Sequence, residues 1–253
     1  MRLFVFNLFL LSSFACVSES ELSSNRSITS QHLGYSLQFK VYTPEGYNNN
    51  ISYPVMFLTD GQWFLSEGEM QSRLDFEIGE GNIVPVIVVF VDSRNPNELK
   101  DNRRNKEFMC NKNYVLFYVN ELIAEVKENY SISEERNNRV IAGLSFGGIN
   151  AACFGIAANK YFGGIGMLSP ANDQHLGVIS KLYKRSNERP LKVFLSGGKK
   201  NDNLKAIRKF KKVLVNEGHD INYHEVPFGH NWKNWRPLLD DLLMTFFNQD
   251  SKE

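Results

Sequence analysis

Residues 137–153, NNRVIAGLSFGGINAAC, constrain the fold more than any other stretch of the chain. At their centre Gly143-Leu144-Ser145-Phe146-Gly147 forms a G-x-S-x-G pentapeptide. Before it, Arg139-Val140-Ile141-Ala142 is a short, mostly apolar run with two β-branched residues, the pattern of a buried strand. After it, residues 147–153 are mostly small and apolar, as in a helix packed tightly on a sheet. Strand, sharp turn and helix in succession make a nucleophile elbow. The glycines permit a strained turn and close helix–strand approach, and the serine hydroxyl stands exposed. The bland alternative is a Gly-rich turn with an incidental serine. The two separate on whether the rest of the chain supplies a base, an acid and an oxyanion hole in matching order.

The remaining apolar runs set the architecture. Residues 36–42 alternate, as in an antiparallel strand with one wet face. Residues 53–58 and 83–91 are continuous apolar runs. The second, IVPVIVVFV, is the most β-branched in the chain and reads as a central parallel strand. Further strands are expected over residues 162–168 and 191–195, with an edge strand over 221–226. Helical spacing marks residues 113–130, 203–217 and 235–247, and a helix is expected within 65–78. Residues 92–112 read as a long polar segment. Strands alternating with helices after an antiparallel start predict an α/β domain with a mostly parallel central sheet and helices on both faces. No internal repeat or linker divides it. A single domain is expected over residues 33–253, preceded by a polar tether over 17–32.

In an open parallel sheet, ligands gather at the carboxyl ends of the strands. Four such ends carry suggestive residues: Asp60-Gly61-Gln62, Ser145, Asp202 and, after the last strand, His230. The chain order Ser, Asp, His is that of the α/β-hydrolase fold. A serine hydroxyl needs a base to take its proton. Of the five histidines, His230 fits best, in a loop after a strand near the C-terminus with Gly229 before it. Asp202 sits where an acid would orient the imidazole. It also reads as an ordinary helix N-cap, with Asp173 and Asp220 as fallbacks. An oxyanion hole needs two backbone N–H groups. Phe146, after the nucleophile, and Gln62, beside Gly61, are the candidates. Asp60, Gly61, Trp63 and Trp232 are expected to line the substrate cleft. Trp235 and Arg236 read equally well as packing.

Composition excludes several classes of function. Of 253 residues, 29 are Lys or Arg and 28 Asp or Glu, a net charge of +1, with no like-charge block to suit nucleic acid. The expected partner is a small-molecule ester. No Cys/His spacing suggests zinc, and no cofactor is called for. Met1-Arg2 followed by an apolar run over residues 3–11 and small residues up to Cys16 is signal-peptide grammar, too short for a spanning helix. Residues 1–16 are therefore expected to direct export: to the periplasm or a membrane-anchored lipoprotein in a bacterium, and to secretion otherwise. Cys16 after Ala15 suggests a lipid anchor, although Ser13 stands where such signals usually carry Leu. The other two cysteines, Cys110 and Cys153, are able to pair in an oxidising compartment. For Cys153, on the buried face of the elbow helix, a free buried thiol is the expectation.

Six pieces, FLTDGQWF, VIVVFVDSR, Arg104-Asn105-Lys106-Glu107-Phe108, VIAGLSFGG, FGGIGMLSPA and GHNWKNWRPLL, follow one another across residues 36–247. In this order the chain resembles the esterase family that includes enterochelin (ferric-siderophore) esterases, feruloyl esterases, S-formylglutathione hydrolase and the mycolyltransferases. The resemblance implies an α/β-hydrolase fold, Ser145 as nucleophile, His230 as base and the Gln62 and Phe146 N–H groups as oxyanion hole. It also implies an acid in the loop after residues 191–195. Family members often place that acid three residues after a glycine. Counting from Gly198 reaches Asn201, so Asp202 falls one residue late. The implied activity is serine carboxylic ester hydrolysis. Acyl transfer on the same fold, or a non-catalytic binding protein that keeps it, are the alternatives.

Overall fold

The apolar runs pair side by side in one nine-stranded sheet. This architecture comes from a computed structural model that describes residues 19–249. The expected signal peptide, residues 1–16, and Cys16 with it lie outside the described residues. The strands are β1 (Glu21–Leu22), β2 (Arg26–Ser30), β3 (Tyr35–Thr43), β4 (Val55–Thr59), β5 (Ile87–Asp92), β6 (Arg94–Asn95), β7 (Glu98–Asn102), β8 (Arg139–Leu144), β9 (Gly164–Leu168), β10 (Lys192–Gly198) and β11 (Asp220–Val226). Their order is β1-β3-β5-β4-β8-β9-β10-β11, with β2 also on β3. From β5 to β11 all neighbours are parallel, and β1, β2 and β3 form an antiparallel edge.

The central strands read as continuous apolar runs because both faces are covered. Side chains alternate across the pleat. Val55, Phe57, Ile87 and Val89 enter one core, and Met56, Leu58, Val88 and Phe90 the other. The first core packs on α4 (Lys112–Phe117), α5 (Ile123–Asn129), α6 (Phe146–Ala157), α7 (Asp173–Tyr183) and α8 (Leu204–Asn216). The second packs on α1 (Gly61–Ser66), α2 (Met70–Gly79) and α10 (Leu239–Phe247). Two single-turn helices, α3 (Arg104–Glu107) and α9 (Trp232–Trp235), lie in the loops that reach the carboxyl ends of the strands. Each fully covered Val, Leu, Ile or Phe stabilises the fold by about 1.5–3 kcal/mol.

Local chemistry moved several expected boundaries. Strand β5 starts at Ile87, not at residue 83, because Pro85 has no N–H for the ladder, and Ile83 instead bridges to Asn248. The helix expected within 65–78 is two helices, α1 and α2, separated at Gly68 and Glu69, whose φ is 52°. The helix over 113–130 runs from Lys112 to Asn129 through a π-helical turn at Tyr118–Leu122. The last helix is broken at Pro237 into α9 and α10. Part of the tether assigned to 17–32 is sheet: β2 alternates in exposure along its length and pairs with β3 from Arg26↔Phe39 to Ser30↔Tyr35. The polar segment 92–112 holds the β6–β7 hairpin and α3. The β7 residues are exposed throughout, so no apolar period marked it.

The two cysteines left open by the sequence are joined. Cys110 and Cys153 form a disulfide with Cα atoms 5.2 Å apart, correcting the expectation of a free thiol at Cys153. Cys153 is indeed buried, but the loop after α3 lies across α6 and brings Cys110 to it.

Candidate active site

Ser145 ends β8 and caps α6, with φ 56° and ψ −117°, a conformation rare for a residue bearing a side chain. Its N–H donates to Leu168 O at 2.9 Å, which ties the turn to β9. The surrounding glycines are needed for proximity. A Cβ on Gly143 would lie 2.3 Å from Thr59 Oγ1 and 2.6 Å from Gly147 C, so β4, β8 and α6 meet closer than any side chain allows. This crossing holds the serine up at the carboxyl edge of the sheet.

His230 follows β11 in the Pro227–Asn231 loop and places Nε2 2.8 Å from Ser145 Oγ. Its Nδ1 lies 3.0 Å from Asp202 Oδ1. A carboxylate only accepts, so Nδ1 carries the proton and Nε2 accepts from the serine hydroxyl. The Asp202 side chain is fully covered, whereas that of His230 is 28% exposed. Asn201, just before it, is left-handed with φ 49°, and Asp202 turns inward. There Asp202 Oδ2 accepts from the Gly198 N–H at 2.7 Å, and Oδ1 from the Asn203 N–H at 2.7 Å. Burial works to raise this carboxyl, but hydrogen bonds from His230, Ser169 and the two backbone N–H groups outweigh it and hold it at about 2.

Asn234 on α9 is a member of the site that no sequence pattern isolates. Wholly buried, its Nδ2 donates to Ser169 Oγ at 3.0 Å, Gly229 O at 3.0 Å and Asp202 Oδ2 at 3.4 Å. One amide thus joins the histidine loop, the acid and the end of β9. The fallback acids lie elsewhere: Asp173 opens α7, and Asp220 starts β11 at the opposite edge of the sheet. Among the other histidines, His219 Nδ1 accepts from the Leu191 N–H at 3.1 Å, with its pKa lowered by burial. His224 stacks on Phe194.

The two expected oxyanion donors both lie in first turns, Phe146 at the start of α6 and Gln62 in α1. Such N–H groups have no acceptor within their own helix. Gln62 also borders a separate cavity with Phe39, Leu65 and Phe90.

A cleft of about 460 Å³ opens over Ser145, lined by Trp63, Glu67, Arg104, Leu144, His230, Trp232 and Trp235. Trp63 and Trp232 are among its lining residues. Asp60 and Gly61 do not line the cleft. Asp60 is fully buried and grips Arg104 through Nε at 3.1 Å and Nη2 at 2.8 Å, with Ser93 Oγ donating at 3.0 Å. Burial pushes its carboxyl up, against the pull of Arg104 and Ser93. A Cβ on Gly61 would lie 2.4 Å from the Phe90 backbone, so this glycine serves packing. Asp60 thus acts one step back from the cleft: it steadies the Arg104 guanidinium, which stacks 5.2 Å from the Trp63 ring and 5.4 Å from that of Phe146. Trp235 belongs to both readings left open for it, being 7% exposed and edge-on to His230 at 5.0 Å.

A mostly parallel sheet covered on both faces, with serine, histidine and aspartate loops at its carboxyl edge, is the α/β-hydrolase fold. The family model described as "Putative esterase" matches residues 30–246, and the chain belongs to that family. It is 22% identical over 230 residues to the iron(III) enterobactin esterase of Dickeya dadantii (strain 3937), covering 84% of this chain and 52% of that protein. The chain spans about half the length of the curated relatives it matches first. Among solved structures, a ferulic acid esterase superposes with a TM-score of 0.76 at 20% identity, covering 91% of this chain and 98% of that one. The enterobactin esterase of Shigella flexneri, solved in the presence of 2,3-di-hydroxy-N-benzoyl-serine, has a TM-score of 0.77 at 21% identity, covering 92% of this chain and 61% of that one. At these identities the structural likeness carries the fold.

Proposed function

We propose that this chain is a serine carboxylic ester hydrolase acting through an acyl-enzyme on small esters of aromatic acids. The observation that carries the reading is the unbroken line Asp202–His230–Ser145, with contacts of 3.0 and 2.8 Å, opening into a cleft walled by Trp63, Trp232 and Trp235. Ser145 Oγ attacks the ester carbonyl while His230 Nε2 takes its proton, and Asp202 stabilises the imidazolium that forms. The carbonyl oxygen, now an oxyanion, is met by the Phe146 and Gln62 N–H groups, each worth about 10²–10³ in turnover. His230 then protonates the leaving alcohol. Water, activated by the same histidine, attacks the acyl-serine and releases the acid. The aromatic class is supported by the three tryptophans and the Arg104 guanidinium in the cleft, which favour a planar ring. It agrees with the relatives named for ferulic acid and enterobactin esters. We propose export through residues 1–16, with mass spectrometry of the mature N-terminus as its test.

Hydrolysis of p-nitrophenyl acetate and butyrate, with Ser145→Ala alongside, tests the mechanism. Activity is expected in the native chain and a loss of at least about 10³-fold in the variant. Equal activity in both refutes the nucleophile. A fluorophosphonate probe is expected to label Ser145, and no labelling would favour a non-catalytic binding protein.

A further inference from the structure

The cleft over Ser145 has a neighbour. A groove of about 490 Å³ is lined by Phe228, Trp232, Lys233, Arg236 and Pro237, and Trp232 is the wall common to both. We propose that this groove is a second subsite, which holds an aromatic ring with an acidic substituent carried by the alcohol side of the ester. The proposal rests on the esterase reading above and extends it to substrates that carry a ring on each side of the scissile bond.

Three features support this occupant. First, Phe228 is 40% exposed, while the largest aromatic side chains of the two cores are wholly covered. An exposed phenylalanine beside an indole and a proline offers an apolar slot suited to a flat ring. Second, the shared wall is rigid. Trp232 meets Phe64 edge-on at 5.9 Å and Trp235 at 5.6 Å, and Trp235 meets His230 at 5.0 Å. A ring stacked on Trp232 therefore finds a surface already held in register with the base, and little ordering entropy opposes binding. Third, charge differs between the two spaces. The Lys233 ammonium is exposed and makes no ion pair among the described residues. Arg236 is engaged, donating from Nε to Glu67 O at 2.7 Å and lying 3.4 Å from Glu69. Glu67 lines the Ser145 cleft and is absent from the groove lining, and Arg104 in that cleft is already paired with the buried Asp60. An acidic group is therefore matched beside Lys233 and opposed beside Glu67, which orients a two-ring ester with its anionic end in the groove.

The test uses three esters of 4-hydroxycinnamic acid: methyl, benzyl and 4-carboxybenzyl. Lys233→Glu is expected to raise KM for the 4-carboxybenzyl ester by about tenfold and to change the benzyl ester by less than about twofold. Phe228→Ala is expected to raise KM by about five- to tenfold for both ring-bearing alcohols, with the methyl ester changed by less than about twofold. KM values that move together for all three esters, or for none, overturn the subsite. Binding of 4-(hydroxymethyl)benzoate to the Ser145→Ala variant, followed by tryptophan fluorescence, gives a readout independent of turnover. Saturable quenching that Lys233→Glu weakens supports the subsite. No quenching, or quenching indifferent to both substitutions, overturns it. Failure of the native chain to hydrolyse any ester, with quenching intact, would instead count against the esterase reading.

Discussion

Replacing Asp202 by asparagine tests how the histidine is oriented. The carboxylate accepts on both oxygens: His230 Nδ1 and the Asn203 N–H on Oδ1, the Gly198 N–H and Asn234 Nδ2 on Oδ2. An amide has one acceptor and one donor end, so it faces a donor with its NH2 group whichever way it turns. With the amide NH2 toward Gly198, a buried N–H loses its acceptor, at a cost of about 1–3 kcal/mol of stability. With the NH2 toward His230, the ring must accept at Nδ1. The proton then moves to Nε2, where it points at Ser145 Oγ, 2.8 Å away, and the base is lost. The same change in a serine-protease triad lowers turnover by about 10⁴. We expect Asp202→Asn to lower kcat on p-nitrophenyl butyrate by about 10³–10⁴, with KM changed by less than about threefold and the chain still folded by circular dichroism. Asp173→Asn, on the fallback acid, is expected to stay within about twofold of native activity. A folded Asp202→Asn chain that keeps activity within about tenfold would refute the assignment of the acid. Because the Asp202 carboxyl is held at about 2, it stays ionised through the mildly acidic range. A loss of activity near pH 5 must then come from another group.

The disulfide spans 43 residues, for which chain-entropy arguments give about 4 kcal/mol. Cys110→Ser with Cys153→Ser should lower the thermal midpoint by roughly 10 °C, and an unchanged midpoint in calorimetry would contradict this. Arg104→Met strands the buried Asp60 and should destabilise by about 3–5 kcal/mol in urea titration; adding Asp60→Asn should restore part of that loss. Burial pushes Glu107 up to about 8, against the Tyr35 hydroxyl, Arg103 and Lys106. The fold therefore favours its protonated form. That stability is fully present below the unfolded carboxyl value of about 4.3 and is lost as pH rises through about 8. Glu107→Gln should accordingly gain stability over the native chain between pH 5 and pH 9, and parallel stability curves would refute the burial argument.

Much of this protein is written locally. The double-faced sheet is legible because strands buried on both sides must be continuously apolar, as residues 87–91 are. The elbow is legible because the turn at Ser145 needs small neighbours on both sides within five residues. His230 stood out by its loop after the last strand, behind Gly229 and after Ser145 and Asp202 in chain order. The misreadings share one cause. The direction of the Asp60 side chain is set by Arg104, 44 residues away, so a strand-end aspartate that looked like a cleft residue is a buried anchor. Polar strands such as β2 and the β6–β7 hairpin carry too few apolar residues to leave a period in the sequence. Asp202 read both as the acid and as a helix cap, and only the left-handed turn at Asn201 shows it directed at His230. Asn234 has no sequence signature, because its three acceptors come from three separate segments. Sequence by itself thus determined the sheet and the strained elbow that carries Ser145, since each follows from burial or strain within a few residues, and the order of strands and loops singled out His230. Tertiary structure decided which carboxylate meets His230, the arginine in the cleft, the paired cysteines and the asparagine that joins the loops, because each depends on which distant segments come within about 3 Å, the reach of a hydrogen bond, or within the 5.2 Å between the cysteine Cα atoms.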